Sequence, residues 1–398
     1  MSNEFKLLIG LNASYAMLLL VSIFIDFGGM TSLFPLFVLF ALLLVNFRRL
    51  KTYKFKIVEL SILLLLFFGI SAHVFLAPYL NITEFVKFLL IFVFYFIGLN
   101  VKFHTGREWR KMSASYSLFF LPLIFLLPLC CLIVYIFQSY SSGDSTGKVL
   151  FFSNRNNAIA FTFVCLFIYS ALGAKDKIVY MLITMFTLLY STLGALVALL
   201  FSIVVVNTKL TAKNILIFCV LLALSFTLYF YSELPIFERI KVMIHGFSEF
   251  LNLYSLEDVA TLSFGEFAAL QGGNDVSMFF RLKHWIEIFF IAKQNWLLLI
   301  PGWGMNASVE LTNLKLVPHN DWLRILFELG IINFFAFSLL FLRVFFKLKS
   351  ISKILCTLFL CINTYFFTEN LINNFLVTSL LYFSAGMVVG RENIKCRT

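Results

Sequence analysis

The dipeptide His319-Asn320 opens the stretch VPHNDWLRILFELGIINFF, where a long polar segment gives way to an apolar run. A histidine at such a junction sits at the water–lipid boundary. A titratable imidazole there can act on the head group of a lipid-linked substrate. With an ordinary pKa near 6.5, imidazole can take a proton from a sugar hydroxyl at neutral pH. Asn320 or Asp321 is a natural N-cap for the helix that follows, and Glu328 falls too late to close a capping box. A helix N-terminus also offers free N–H groups and a positive dipole, which suit a phosphate or pyrophosphate.

Four cationic or titratable residues are candidates to act with His319. Arg281 is the foremost anion-binding candidate in the long polar segment, because guanidinium forks onto phosphate and stays charged near lipid. The competing reading is snorkelling to lipid head groups from an amphipathic helix. His284, three residues on, shares its face. Arg155 precedes an apolar run on the side where cations are otherwise scarce; it is either a second pyrophosphate contact or a snorkelling anchor. Arg324 lies five residues past His319 and either faces the same cavity or reaches to the interface. The candidate set is therefore His319 and Arg281 for chemistry, with Arg155, Asn320, Arg324 and His284 for substrate binding. His73 is expected at the interface, and Glu84 with Lys87, three apart, as a local ion pair. His104 and His245 have no informative context.

Several chemistries have no support. There is no HExxH and no His/Cys cluster at ligand spacing, so no metal is expected. Walker A, GxGxxG and GxSxG patterns are missing too, and no cofactor is expected. Of seven cysteines, six (Cys130, Cys131, Cys165, Cys219, Cys356, Cys361) sit in apolar runs and Cys396 in the tail, which is no disulfide framework.

The elements that must position these residues are membrane helices. Hydrophobic residues form 61% of the chain and charged residues 13%, with mean hydropathy +0.95, far from a soluble composition. Apolar stretches long enough to span a bilayer occur at about 7–25, 31–47, 57–77, 84–100, 115–137, 157–174, 178–192, 193–206, 215–231, 321–342, 354–369 and 371–389. The pair around Ser191 to Gly194 reads as two short helices with a tight turn or as one broken segment. MSNEFK lacks a following small-residue cleavage site, so the first span is expected to stay. The expected fold class is an all-α polytopic membrane protein with about twelve transmembrane helices and one large periplasmic loop containing short helices.

The net charge of +11 is distributed as a topology signal, which argues against nucleic acid as a partner. With the N-terminus inside, the segments at Arg48–Lys56, Lys102–Lys111, Lys175–Lys177, Lys209–Lys213, Arg343–Lys353 and the tail from Arg391 are cytoplasmic and net positive. The outer loops at 26–30, 78–83 and 370–374 hold no Lys or Arg. Both termini are then cytoplasmic. Three regions follow: membrane helices 1–9 over 1–231, the large loop over 232–320, and membrane helices 10–12 with the tail over 321–398. A second outer loop, 138–156, ends in Asn154-Arg155-Asn156. In the large loop, Trp285, Trp296, Trp303 and aliphatic runs predict order. MFFRLKHWIEIFFIAKQ (278–294) reads as an amphipathic helix lying on the membrane surface or packed over the bundle, broken by Pro301-Gly302-Trp303-Gly304.

From His319 onward the chain resembles the bacterial O-antigen polymerase and O-antigen ligase superfamily. Its signature is His followed by Asn or Ser, nine residues, then Gly-x-x-Gly at the end of a large periplasmic loop. Here nine residues (Asp321 to Leu329) separate Asn320 from Gly330, and Asn333 stands where the second glycine belongs. Arg281 to Trp285 followed by Pro301-Gly302-Trp303-Gly304 is similar to the family's "Arg … Trp … Pro-x-x-Gly" stretch. Tyr190 to Leu196 looks like its "Ser-Arg-Gly-Ala-Leu" turn without the arginine, for which Arg155 is the substitute.

The resemblance implies a metal-independent, inverting glycosyl transfer between lipid-linked glycans on the outer face of the bacterial inner membrane. His319 would be the general base, and Arg281, with Arg155 or Arg324, would stabilise the leaving pyrophosphate. Undecaprenyl-pyrophosphate-linked oligosaccharide, the lipid bilayer and a chain-length regulator protein are the implied partners. The string His-Asn-Asp-Trp-Leu-Arg and the departure at Asn333 favour a polymerase over a ligase acting on lipid A–core. A flippase or secondary transporter is the alternative of another class. Such proteins carry repeated halves and charged or broken helices at mid-membrane, which are not evident here.

Overall fold

A computed structural model describes residues 56–100, 127–142, 149, 152, 154–190, 192–207, 255–263, 265–266 and 277–395. The expected spans at 7–25, 31–47 and 215–231 lie outside the described residues. So do the first part of that at 115–137, the cationic segments at 48–54, 102–111 and 209–213, residues 232–254 of the large loop, and His104 and His245. Among the described residues the chain is helical, with two isolated bridges, Tyr79 with Gly304 and Val149 with Phe152, and no strand.

The helices are α1 (Ile57–Leu76), α2 (Ile82–Asn100), α3 (Leu127–Ser142), α4 (Arg155–Ala171), α5 (Asp176–Tyr190), α6 (Leu193–Asn207), α7 (Leu256–Thr261), α8 (Ser277–Gln294), α9 (Ala307–Leu311), α10 (Asp321–Arg324), α11 (Ile331–Ile351), α12 (Lys353–Tyr365) and α13 (Phe375–Lys395). A 3₁₀ turn covers Trp296–Leu299, and a π-helical turn covers Ile325–Leu329. Three of them, α1, α2 and α11, are long and apolar enough to cross a bilayer; α3, α6, α12 and α13 contain shorter apolar stretches. Among the described residues, then, three helices have the length and composition of membrane spans, as expected of a membrane protein.

Of the two readings for the stretch around Ser191 to Gly194, the structure has two helices, α5 ending at Tyr190 and α6 beginning at Leu193. One boundary departs from the sequence reading. The span expected at 321–342 begins only at Ile331, since Gly330 at φ 88 interrupts the helix, and it runs on to Ile351. Arg343, expected in a cytoplasmic segment, lies within that helix and donates to Glu59 Oε1 at 2.7 and 3.0 Å.

The described part divides into two compact units: residues 1–63, 83–206 and 337–398, and residues 64–82 and 207–336. In the first, α4 packs against α3, α5, α12 and α13. A helix in contact on every side must be apolar all round, and the run from Ala158 to Phe167 is wholly buried. Asn154 caps it, its side chain accepting from Asn157 N at 2.9 Å. Gly98 on α2 and Gly386 and Gly390 on α13 let the two backbones touch, because a Cβ at any of the three would overlap the facing main chain. Small residues four apart are a common way to seat membrane helices closely.

In the second unit, α8 is the central strut. On one side Ile286 and Val259 form a core with Leu262, Phe280, Leu282 and Phe290. On the other, Ile288 packs with Ala307 and Phe327, joined by Leu299, Trp303 and Leu323. The unit therefore has its own core, and that core continues past residue 320 into the π turn. It also takes in residues 64–82, the second half of α1.

Candidate functional site

His319 is half-buried at the end of the segment leading into α10. Asn320 is the N-cap: its backbone is extended and its side-chain oxygen accepts from Leu323 N at 3.0 Å. That bond occupies both the asparagine oxygen and one of the free N–H groups that the sequence offered to an anion. The α-helical part is only one turn, Asp321 to Arg324, before the π turn begins. A one-turn helix has little dipole to present, so anion binding at this terminus loses its basis.

The first turns of α8 face His319. The Phe280 ring lies 6.3 Å from the His319 ring and 6.4 Å from the His284 ring, edge-on to both. Arg281 is the next residue after Phe280, half-buried on the same turn. The two expected chemical residues are thus carried by segments in direct contact through Phe280. His284 is fully buried, and its Nε2 is 3.2 Å from Thr312 Oγ1. Burial above all pushes its pKa down, to about 4, with His319 and Lys283 pushing the same way against the backbone of Ser308. His284 is a neutral imidazole at physiological pH. A side chain so enclosed supports its neighbours; it does not present a surface to a glycan.

The amphipathic reading of α8 has to be corrected. Lys283 and His284 point into the unit, while Phe289 is exposed. Inward placement is possible because Lys283 pairs with Glu287 four residues on, both buried. Desolvation raises the Glu287 pKa despite that partner.

Arg324 is likewise buried, its Nε donating to Glu328 Oε2 at 2.8 Å. With 2% of its surface exposed, it does not reach up to the interface. Glu328 is the residue that sequence reasoning passed over. Its other oxygen, Oε1, accepts from the Ser308 hydroxyl and, at 3.3 Å, from Ser308 N. Ser308 O in turn accepts from the Thr312 hydroxyl at 2.5 Å, and Thr312 meets His284. A continuous chain of bonds thus runs from Arg324 through Glu328, Ser308 and Thr312 to His284, beside His319. The i,i+4 spacing of Arg324 with Glu328 and of Lys283 with Glu287 was the signal available in the sequence.

The π turn has a positional role. A helix that stops at Gly330 leaves its last carbonyls without helical donors. Trp303 N donates to Phe327 O and Gly304 N to Glu328 O, each at 2.9 Å. Trp303 stacks on Phe327, centroids 5.8 Å apart. The Pro301–Gly304 loop and the π turn thus hold each other, and π turns are frequent at functional sites. His73, expected at the interface, is buried, with Nδ1 2.9 Å from Pro301 O. Glu84 and Lys87 do form the local pair, at 2.5 Å.

Arg155 belongs to the first unit, at the first position of α4. Its Nη1 donates to Tyr135 OH at 3.0 Å and its guanidinium lies over that ring. The neighbouring Asn156 donates to Glu369 at 2.6 Å. Among the described residues no group of His, Cys, Asp and Glu could hold a metal ion. The chain matches no protein-family model and no curated protein.

Proposed function

We propose that this chain is a surface-polysaccharide polymerase of the inner membrane, an inverting glycosyltransferase that uses an undecaprenyl-pyrophosphate-linked glycan as donor. The observation that carries it is the junction of the Arg281 turn of α8 with His319 through Phe280, in a chain whose described residues include helices long and apolar enough to cross a membrane. An imidazole and a guanidinium on adjoining segments are the two groups this reaction needs.

The acceptor is a sugar hydroxyl on a second lipid-linked unit. Its oxygen attacks the donor's anomeric carbon as His319 takes the hydroxyl proton. The bond from that carbon to the pyrophosphate oxygen breaks, and the pyrophosphate leaves with the electron pair. Arg281 stabilises the charge gathering there. Pyrophosphate is a good leaving group, so general-base and electrostatic assistance have a modest barrier to lower. His284 and the bonded chain to Glu328 hold the imidazole's surroundings in one geometry.

The test is the surface glycan of a strain lacking this gene, complemented with variants. A polymerase-null strain leaves core bearing a single repeat unit. Bare core with accumulated lipid-linked glycan would assign a ligase, and repeat units stranded on the cytoplasmic side a flippase. His319→Ala is expected to lower chain elongation by about 10²–10⁴-fold, the usual worth of a general base. Arg281→Ala should cost about 10²–10³-fold, as for one oxyanion-type donor. Both proteins should still insert. Normal long chains from either variant would remove that residue from the mechanism.

A further inference from the structure

Apolar surface in the second unit is concentrated where its loop meets a membrane helix. The 3₁₀ turn Trp296–Leu299 has no buried residue. Trp296 is 66% exposed and Leu297 55%, and Ile300 is exposed as well. Soluble surfaces seldom carry a tryptophan and two aliphatics together in water. Lys293, also exposed, stands one turn before them with its ammonium 5.6 Å from the Phe290 ring centre. Aromatic and lysine side chains side by side are the composition of a membrane interface.

The position of this turn supplies the depth. Helix α1 has 20 residues, about 30 Å at 1.5 Å per residue, the thickness of the hydrocarbon layer. Its last turn therefore lies at the head-group boundary. His73 in that turn bonds Pro301, and Tyr79 just beyond it bridges to Gly304. Trp296 is five residues before Pro301, about 10 Å along a chain rising 2 Å per residue. Around the same contacts, α1 ends in Phe75 and Leu76, 83% and 63% exposed, followed by the exposed Tyr79 and Leu80. The exposed apolar residues of the turn and of the end of α1 thus flank the same two contacts, His73 with Pro301 and Tyr79 with Gly304.

We infer that Trp296, Leu297 and Ile300 form an interfacial wedge seated in the bilayer leaflet at the end of α1, with Lys293 at the level of the lipid phosphates. Besides its share of α1, the unit meets the membrane through this 3₁₀ turn. The wedge anchors Pro301–Gly304, and with it the π turn, at a constant depth. It is independent of the glycosyl-transfer assignment.

The experiment uses the full chain in phosphatidylcholine vesicles, with the same lipid brominated on its acyl chains as a quencher and iodide as an aqueous one. In Trp296→Phe, the bromolipid-quenched part of the tryptophan emission should fall relative to the unaltered chain, with iodide quenching unchanged. Leu297→Trp, which adds a reporter at the same place, should raise the bromolipid-quenched part. Loss of iodide-quenched emission in Trp296→Phe would put the turn in water and overturn the inference. No change with either quencher would put it under protein, whether a second copy or another chain, and would equally overturn it.

Discussion

Glu328 joins three segments at one carboxylate: Arg324 in α10, Ser308 in α9, and, through its own carbonyl, Gly304 in the Pro301–Gly304 loop. Removing one member of a buried ion pair strands the other charge, which typically costs about 3–5 kcal/mol. Glu328→Ala is therefore expected to lower the amount of folded protein sharply. The double change Arg324→Met with Glu328→Met, which removes both charges, should recover most of it. Thermal unfolding in detergent, followed for the single and double variants, checks this. Equal losses in both would mean that the pair does not couple. Nothing in the local sequence distinguishes Glu328 from a surface glutamate beyond its spacing to Arg324, since its burial comes from α9, a partner 20 residues away in sequence.

At the scale of elements, two glycines set how closely neighbouring segments approach. Gly330 has φ 88 and ψ 168, a region essentially confined to glycine, and a Cβ there would overlap Ile300 and Pro301–Gly302. Gly330→Ala is expected to destabilise the unit by at least about 1–3 kcal/mol from the backbone alone. Limited proteolysis of the 277–336 region in membranes should then show faster cleavage; unchanged cleavage would refute the crossing. Asn333, in place of the second glycine, is buried, its amide donating to Leu329 O at 2.9 Å. Opposite it on α1 stands Gly69, where any Cβ would overlap the Asn333 side chain. The small residue that makes room for the Asn333 side chain therefore stands on the facing helix. Periodicity along one segment cannot reveal such a pairing.

For the whole molecule the measurable consequence is pH dependence. His284 binds a proton at about pH 4 when folded and near 6.5 when unfolded. Between those values the unfolded chain binds more protons, so stability falls as pH drops from about 6.5 toward 4. At 1.36 kcal/mol per pKa unit the loss is on the order of 3 kcal/mol. Glu287, raised by desolvation, acts in the opposite direction, because its folded form binds its proton more readily. Midpoints of thermal unfolding from pH 7 to pH 4 should fall in the unaltered chain and fall less in His284→Gln. Parallel slopes in the two would exclude His284 as the titrating group.

Composition alone determined that the chain lives in a bilayer, since 61% apolar residues leave no other solvent for such helices. Local chemistry also narrowed the cap to Asn320 or Asp321 and determined the break before α9 and the Glu84–Lys87 pair, because each depends on residues within a few positions. Only tertiary structure decided that Arg324, Lys283 and His284 face inward, that His73 is bonded to Pro301, and that the span read at 321–342 starts at Ile331. Those outcomes depend on partners such as Glu328 with Ser308, Gly69 with Asn333 and Gly302 with Gly330, brought together from distant parts of the chain. Whether a charge is buried depends on whether a counter-charge or donor arrives in space, and hydropathy along a single strand of sequence carries no record of that arrival.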